Sequence, residues 1–317
     1  MKLELSALQI MILKELCADE YRNISGLAGA LDKSLTRVSI AIKDLEKKGF
    51  VETQKIGISK QLDISSNKHA VSFKIMAAQY PHLHLEKLLS GSALQILLPL
   101  TYRQKLRLEE IEKLSGCSER TLRRVVKGLK EFGIMVVDEN FSYSIGSFYF
   151  RLSEFIRDFQ GYLNLRLALS FSNTAVILWQ QGKEFLIKAL AEKKVECFFP
   201  TGYEKLSDYG IQLILTGSRY YFYSPFKKKL GVEDAALHTL SLEPESPRNV
   251  LYVLMIVAKN IGKIDRDYLR SEAAKFGLEG AVEDIARYLK TKGMHRPEYF
   301  PLWEEFKAKA EEYEICL

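Results

Sequence analysis

Three arginines, Arg120, Arg123 and Arg124, fall within two helical turns in the string "CSERTLRRVVKGLKEFG". A guanidinium keeps its charge at physiological pH and donates in pairs, to a guanine edge or to a phosphate. Elsewhere, Glu233 and Asp234 are adjacent carboxylates. Carboxylates that hold catalytic metals on one face of a strand alternate along it, and these two are neighbours. The string "VEDAALHTL" around them reads as a helix start, where acids offset the positive end of the helix dipole. His82 and His84 flank Leu83 at a spacing that suits two imidazoles on one face of a strand, with no third ligand type nearby. Cys17, Cys117, Cys197 and Cys316 lie far apart without a C-x-x-C pair, and read as reduced thiols acting as small hydrophobes. The sequence holds no phosphate-binding glycine loop, nucleophile elbow or zinc cluster. It therefore predicts no cofactor, no metal and no enzyme; its strongest chemistry is the contact of arginine with an anion.

The elements that must position those arginines are found by a repeat. The pentapeptide "SALQI" occurs at residues 6–10 and again at 92–96. After the first copy, Leu8, Ile12, Leu13 and Leu16 make one helical face. Asn23 or Ser25 can cap a second helix, and Ser34 can cap a third whose inward stripe is Val38, Ile42 and Leu45. Gly49 suits a left-handed C-terminal cap, and "FVETQKIGISKQLDIS" reads as two strands around a turn containing Gly57. The second copy keeps the order. "SALQILLPL" gives a helix that Pro99 ends or kinks, "RLEEIEKLSG" a second that stops at Gly116, and "CSERTLRRVVKGLKEFG" a third. Ser118, Leu122, Val126, Leu129 and Gly133 take the places of Ser34, Val38, Ile42, Leu45 and Gly49, each 84 residues on. "IMVVDENFSYSIG" then supplies two strands around a polar turn at 138–140.

Three helices followed by a two-stranded wing is the winged helix-turn-helix plan. On "KSLTRVSIAIKDLEKKGFV" and "CSERTLRRVVKGLKEFGI", both copies resemble the winged-helix domains of MarR- and ArsR-type transcription regulators. The resemblance implies a third helix in the major groove of double-stranded DNA. Removing the inward stripe leaves Ser34, Thr36, Arg37, Ser39 and Lys43 outward in the first copy, and Ser118, Arg120, Thr121, Arg123, Arg124 and Lys127 in the second. Lys55 and Lys60 are offered by the first wing, whereas the second carries Asp138 and Glu139 at its tip, which should repel phosphate. Ile40 stands where a polar, DNA-facing residue is usual. The expected division of labour is base reading by the second helix and general affinity from the first wing.

The charge balance agrees. Of the net +6, residues 1–150 hold 22 Lys and Arg against 17 Asp and Glu. At 317 residues and 47% apolar content the chain exceeds one ordinary core. The expected class is α+β: two tandem winged helices at 1–80 and 81–147, a linker or dimerisation helix at 148–172, and a mixed α+β domain at 173–317. In the middle segment Leu152, Phe155, Ile156, Phe159 and Leu163 form one stripe, suited to a homodimer or to packing on the C-terminal domain. If both copies lie on one duplex, a fragment ending near Gly146 should still bind DNA, more weakly if that stripe makes a dimer.

From Thr174, "AVILW", "EFLIKAL", "VECFF", "IQLILT" and "RYYFYS" read as strands of a small sheet, followed by helices at 232–242, 249–259, 265–275, 278–291 and 303–315. "GVEDAALHTLSLEPESPRNVLYVLMIVAKN" and "IDRDYLRSEAAKFGLEGAVEDIARYL" are similar to the C-terminal domain of abortive-infection antitoxins of the AbiEi type. That similarity implies a promoter-binding protein that opposes a nucleotidyltransferase toxin. "LTGSRY" followed by Glu233 and Asp234 resembles instead the Gly-Ser turn and acidic pair of nucleotidyltransferases themselves. The leading expectation is a cytoplasmic DNA-binding transcriptional repressor whose C-terminal domain takes an effector or a protein partner. An antitoxin-like or scaffold protein is the first rival and a nucleotidyltransferase-like enzyme the second. No run is long enough to cross a membrane.

Overall fold

In a computed structural model the described residues are 2–18, 22–56, 59–190, 193–213, 217–315 and 317. They form two compact units, Met1–Asn164 and Leu165–Leu317.

Unit 1 opens with helices α1 (Ala7–Ala18), α2 (Ile24–Ala30) and α3 (Leu35–Lys47). The Asn23 side chain accepts from the Gly26 N–H at 2.7 Å, and the Ser34 hydroxyl from the Arg37 N–H at 3.4 Å, so both expected caps are made. Val38, Ala41, Ile42 and Leu45 turn inward from α3. Strands β1 (Val51–Ile56) and β2 (Ser59–Ile64) pair antiparallel with Val51 opposite Ile64; the expected turn at Gly57 lies outside the described residues. Helices α4 (Lys68–Gln79) and α5 (Leu85–Leu88) follow, neither anticipated from the sequence.

The second copy repeats the order: α6 (Ala93–Leu97) runs into a 3-10 turn at Pro99, then α7 (Leu108–Ser115), α8 (Glu119–Glu131), and the hairpin β3 (Met135–Val137) and β4 (Tyr143–Ile145). Leu122, Val126 and Leu129 are the buried stripe of α8. The ends of α3 and α8 match closely. Gly49 and Gly133 have φ of 71° and 67°, and the next residue's N–H bonds back to Leu45 or Leu129 at 2.9 or 3.0 Å.

One continuous core runs from Leu3 to Leu163 through both copies. Gly91 N–H donates to Leu5 O at 2.8 Å, and Gln95 Nε2 to Glu4 Oε1 at 2.6 Å, so the start of each copy is tied to the other. Helix α9 (Phe150–Phe171) settles the stripe expected to make a dimer or to pack on the C-terminal domain. Leu152, Phe155, Ile156, Phe159 and Leu163 are buried within unit 1 itself. Phe155 and Phe159 meet Phe50, and Phe155 meets Phe73, with ring centroids 4.8–6.2 Å apart.

In unit 2, β5 (Val176–Gln181), β6 (Glu184–Ala189), β7 (Phe198–Thr201) and β8 (Arg219–Tyr223) form an antiparallel sheet in the order β5-β6-β8-β7. Of the expected strand "IQLILT", Ile211, Gln212 and Leu213 are coil and the rest lies outside the described residues. A short helix α10 (Tyr203–Leu206) sits where a loop was expected. Helices α11 (Val232–Leu242), α12 (Pro247–Lys259), α13 (Arg266–Phe276), α14 (Glu279–Lys290) and α15 (Trp303–Glu312) follow, close to the expected spans. Their core gathers Leu237, Leu254, Ile256, Tyr288 and Phe306. Among the described residues no helix is long and apolar enough to cross a membrane.

Candidate nucleic-acid interface

A helix that buries one stripe must present the opposite one, and on α3 that outer line is Thr36, Ile40, Lys43 and Lys47, all exposed. Ser34 is spent on the cap, Arg37 is exposed on the flank, and Ser39 is half-buried. Ile40 is 63% exposed, and beside it lies an open groove shared with Arg37, Lys43, Lys47 and Leu8 of α1. Lys47 was not among the residues expected to face DNA. Its spacing of four from Lys43 was the available signal.

The matching line on α8 is Arg120, Arg124, Lys127 and Glu131. Arg120, Arg124 and Lys127 are exposed and, among the described residues, make no ion pair. Arg123 differs: its guanidinium grips Glu119 one turn earlier, at 2.8 and 2.7 Å. The sequence held that signal too, since an acid four residues before a base pairs on a helix. Of the three arginines, two are left to meet an anion and one is engaged. Ser118 and Thr121 hydroxyls lie 3.1 Å apart at the start of the helix.

The wings are also distinct. The β1–β2 register sets Lys55 directly opposite Lys60. On the second wing, Lys105 Nζ lies 2.7 Å from Asp138 Oδ2 and the Asn140 and Ser142 N–H groups donate to Oδ1. Those bonds, Lys105 first, hold the Asp138 carboxyl below the usual carboxylate range. Asp138 thus organises the turn and is already paired, so the acidity of that tip falls mainly on Glu139.

Glu233 and Asp234 both lie in the first turn of α11 and are buried. Glu233 accepts from the Asp265 N–H and Asp234 from the Gly231 N–H, each at 2.8 Å. Asp234 also meets Lys227 and the Tyr268 hydroxyl, and Lys227 reaches Glu272 at 3.0 Å. Burial works against the Lys227 charge, but these carboxylates outweigh it and hold the amine above its ordinary pKa. His238 is fully enclosed, stacked on Phe222 and 2.7 Å from the Thr201 hydroxyl; burial pushes it down to about 3, so it is neutral. This is a closed polar network in which each charge meets its partner. His84 lies 3.3 Å from Glu86, and among the described residues no group of three His, Cys, Asp or Glu could hold a metal. Cys17, Cys117 and Cys197 are free thiols, and Cys316 lies outside the described residues.

Residues 5–52 match the family model described as winged helix-turn-helix DNA-binding. The N-terminal fold is a winged helix-turn-helix. At this coarse level the chain carries the domain of a DNA-binding transcription regulator. Residues 195–315 match the HVO_2833_C model, described as a C-terminal domain. No curated protein matches the chain. The match to the winged helix spans α1 to α3 and reaches the first residues of β1, so it covers Ser34, Thr36, Arg37, Ser39 and Lys43 but stops short of Lys55 and Lys60.

Proposed function

We propose that the protein is a sequence-specific transcriptional regulator, acting as a repressor, that grips double-stranded DNA with two tandem winged helices. Residues 81–147 are read as the second of them. The observation that carries this is the face of α8: Arg120, Arg124 and Lys127 stand exposed on the line opposite a fully buried stripe, at the positions that Thr36, Ile40 and Lys43 occupy in the matched domain. A basic line on a third helix suits phosphate and guanine contact in a major groove. Lys43 and Lys47, with the Lys55–Lys60 pair of the first wing, add sequence-independent attraction. The C-terminal unit, similar in two stretches to AbiEi-type antitoxins, is assigned to the sensing of an effector or protein partner.

A second reading is favoured by one feature of α3. Ile40 is 63% exposed on the face that would enter the groove. An apolar face of that kind suits a docking surface for another protein, the antitoxin-like or scaffold role, in which the winged helices read no DNA sequence.

An electrophoretic assay of the full chain against the DNA upstream of its own gene decides between them. Retardation that weakens with salt and is lost in the variant R120A/R124A/K127A supports DNA reading. Unchanged retardation in that variant, or none in the wild type, overturns it.

A further inference from the structure

Helices α11 to α14 of unit 2 pack around a partly open cavity of about 490 Å³. Its walls are apolar: Val257 of α12, Leu269 of α13, and Val282 and Leu289 of α14 face it half-buried, with Ile261 exposed at the edge. Tightly packed helices leave few voids larger than a water molecule, and apolar surface left uncovered costs free energy. A space of this size in a four-helix layer is therefore a departure from close packing. It falls within the range of about 300–1,000 Å³ usual for small-molecule sites.

The polar part of the lining has one sign. Arg266 and Arg270 stand one turn apart on α13, on the same face as Leu269, and Lys290 closes α14. Among the described residues no carboxylate lines the cavity. The three cations are exposed and, among the described residues, form no ion pair. Two of the nearby acids are engaged elsewhere. Asp265 caps its own helix by accepting from the Asp267 and Tyr268 N–H groups, and Glu283 faces Arg287 at 3.5 Å. An apolar pocket with unpaired cations at its mouth selects a ligand that is apolar along its body and anionic at one end.

We propose that this cavity binds a small amphiphilic anion, such as a medium-chain or aryl carboxylate, with its apolar body among α11, α12, α13 and α14 and its carboxylate at Arg266, Arg270 and Lys290. As the effector site it rests on the sensing role assigned to unit 2; as a binding site it stands without any DNA activity. The carboxylate gains from three positive charges at the water boundary, and the chain gains from leaving water.

Isothermal titration calorimetry on the full chain, without DNA, separates the two contributions. Decanoate, decanol and decylamine share one chain length and differ in charge. Decanoate is expected to bind about tenfold or more tightly than decanol, with decylamine weaker still. The preference should shrink as salt rises. The variant R266A/R270A/K290A changes only exposed side chains, so its fold, checked by circular dichroism, should persist. It should bind decanoate and decanol alike. A286W, which places a bulky ring at an exposed lining position, should abolish binding of both. Equal affinity for decanoate and decanol in the wild type overturns the proposal, as does a preference that survives loss of all three cations. Undiminished binding in A286W places the ligand elsewhere and overturns it equally. Because no DNA enters the measurement, its failure leaves the DNA-binding reading untouched, and the reverse also holds.

Discussion

The third helices of the two copies share a skeleton and differ in almost everything they show to solvent. Val38, Ile42 and Leu45 have their equivalents in Leu122, Val126 and Leu129, and the left-handed glycine after each helix is kept. Outside, Thr36 becomes Arg120, Ile40 becomes Arg124, and Lys47 becomes Glu131. On that outer line only Lys43 and Lys127 agree. The inward residues are dictated by a packing problem that is the same in both copies, whereas the outward ones answer to whatever each face meets. An apolar-and-lysine face and an arginine face on one scaffold meet a duplex differently, the first through general attraction to phosphate and the second through arginine contact with phosphate or guanine.

The comparison is tested most severely by cutting the chain. If the copies were separable from α9, a fragment 1–146 would fold. It lacks the five buried apolar residues of the α9 stripe, whose burial contributes on the order of 10 kcal/mol. That equals the whole stability of an ordinary domain. Residues 1–164 should therefore melt cooperatively and 1–146 should show no thermal transition. Two matching melts would show that α9 is dispensable and that the copies stand alone.

The paired glycines come next. A Cβ at Gly49 would strike the Tyr162 ring, while one at Gly133 would meet nothing within 4 Å. Both positions hold a positive φ that costs an L-residue about 1–2 kcal/mol. G133A should lose about 1 kcal/mol and G49A about 4 kcal/mol, since the second must also displace a packed ring. Equal losses in urea denaturation would mean that Tyr162 yields freely.

Acid should separate a buried histidine from its surroundings. His69 sits against Phe50, Phe159 and Tyr162, with Nε2 2.9 Å from Lys48 O, and burial pushes it down to about 4. Because its folded pKa lies below the unfolded value near 6.5, protons bind the unfolded chain more readily. Its contribution is intact above pH 6.5 and is lost as pH falls through 4, about 3 kcal/mol by then. H69Q should abolish that part of the pH slope in residues 1–164. A slope unchanged in H69Q assigns it to other groups.

How far the sequence carried this picture depends on what kind of information each feature needs. The caps Asn23 and Ser34, the glycine ends and the apolar stripes are local rules, and they were legible. So were the helices of unit 2, within a few residues. The partners of α9 and the whole of α4 and α5 were not, because the Phe155–Phe50 and Phe155–Phe73 contacts join residues about 80–105 positions apart. Among the candidate DNA residues, the outward position of Thr36, Arg120, Arg124 and Lys127 follows from helical period. The Arg123–Glu119 pair follows from its spacing of four on a helix, whereas Lys105 and Asp138 are 33 residues apart and are brought together only by the tertiary fold.

On the interface itself, R120A and R124A should each weaken specific DNA binding by about 1–3 kcal/mol if they read bases, with T36A costing less. The exchange R124I, which writes the first copy's residue into the second, should cost as much as R124A. The smallest effects belong to Arg123 and the first wing. R123A should cost about 0.5 kcal/mol or less, since its charge is already met. K55A/K60A should lower the slope of log affinity against log salt by about one per lost contact while leaving base preference intact. A loss in R123A as large as in R124A would erase the distinction drawn between them.

The continuous core of unit 1 bears on how two such copies drift apart. A lone winged helix of this size buries about 60% of its chain's surface, and a body of about 160 residues nearer 70%. Sharing an interior gives each copy a margin it would not have by itself. A crowd of like charges on α8, or a solvent-facing isoleucine on α3, weakens a body large enough to tolerate it. Duplicated genes are often described as freeing one product to change while the other keeps the old task. Under the tandem reading proposed above, the two products remain one fold, and the freedom is confined to their outer faces.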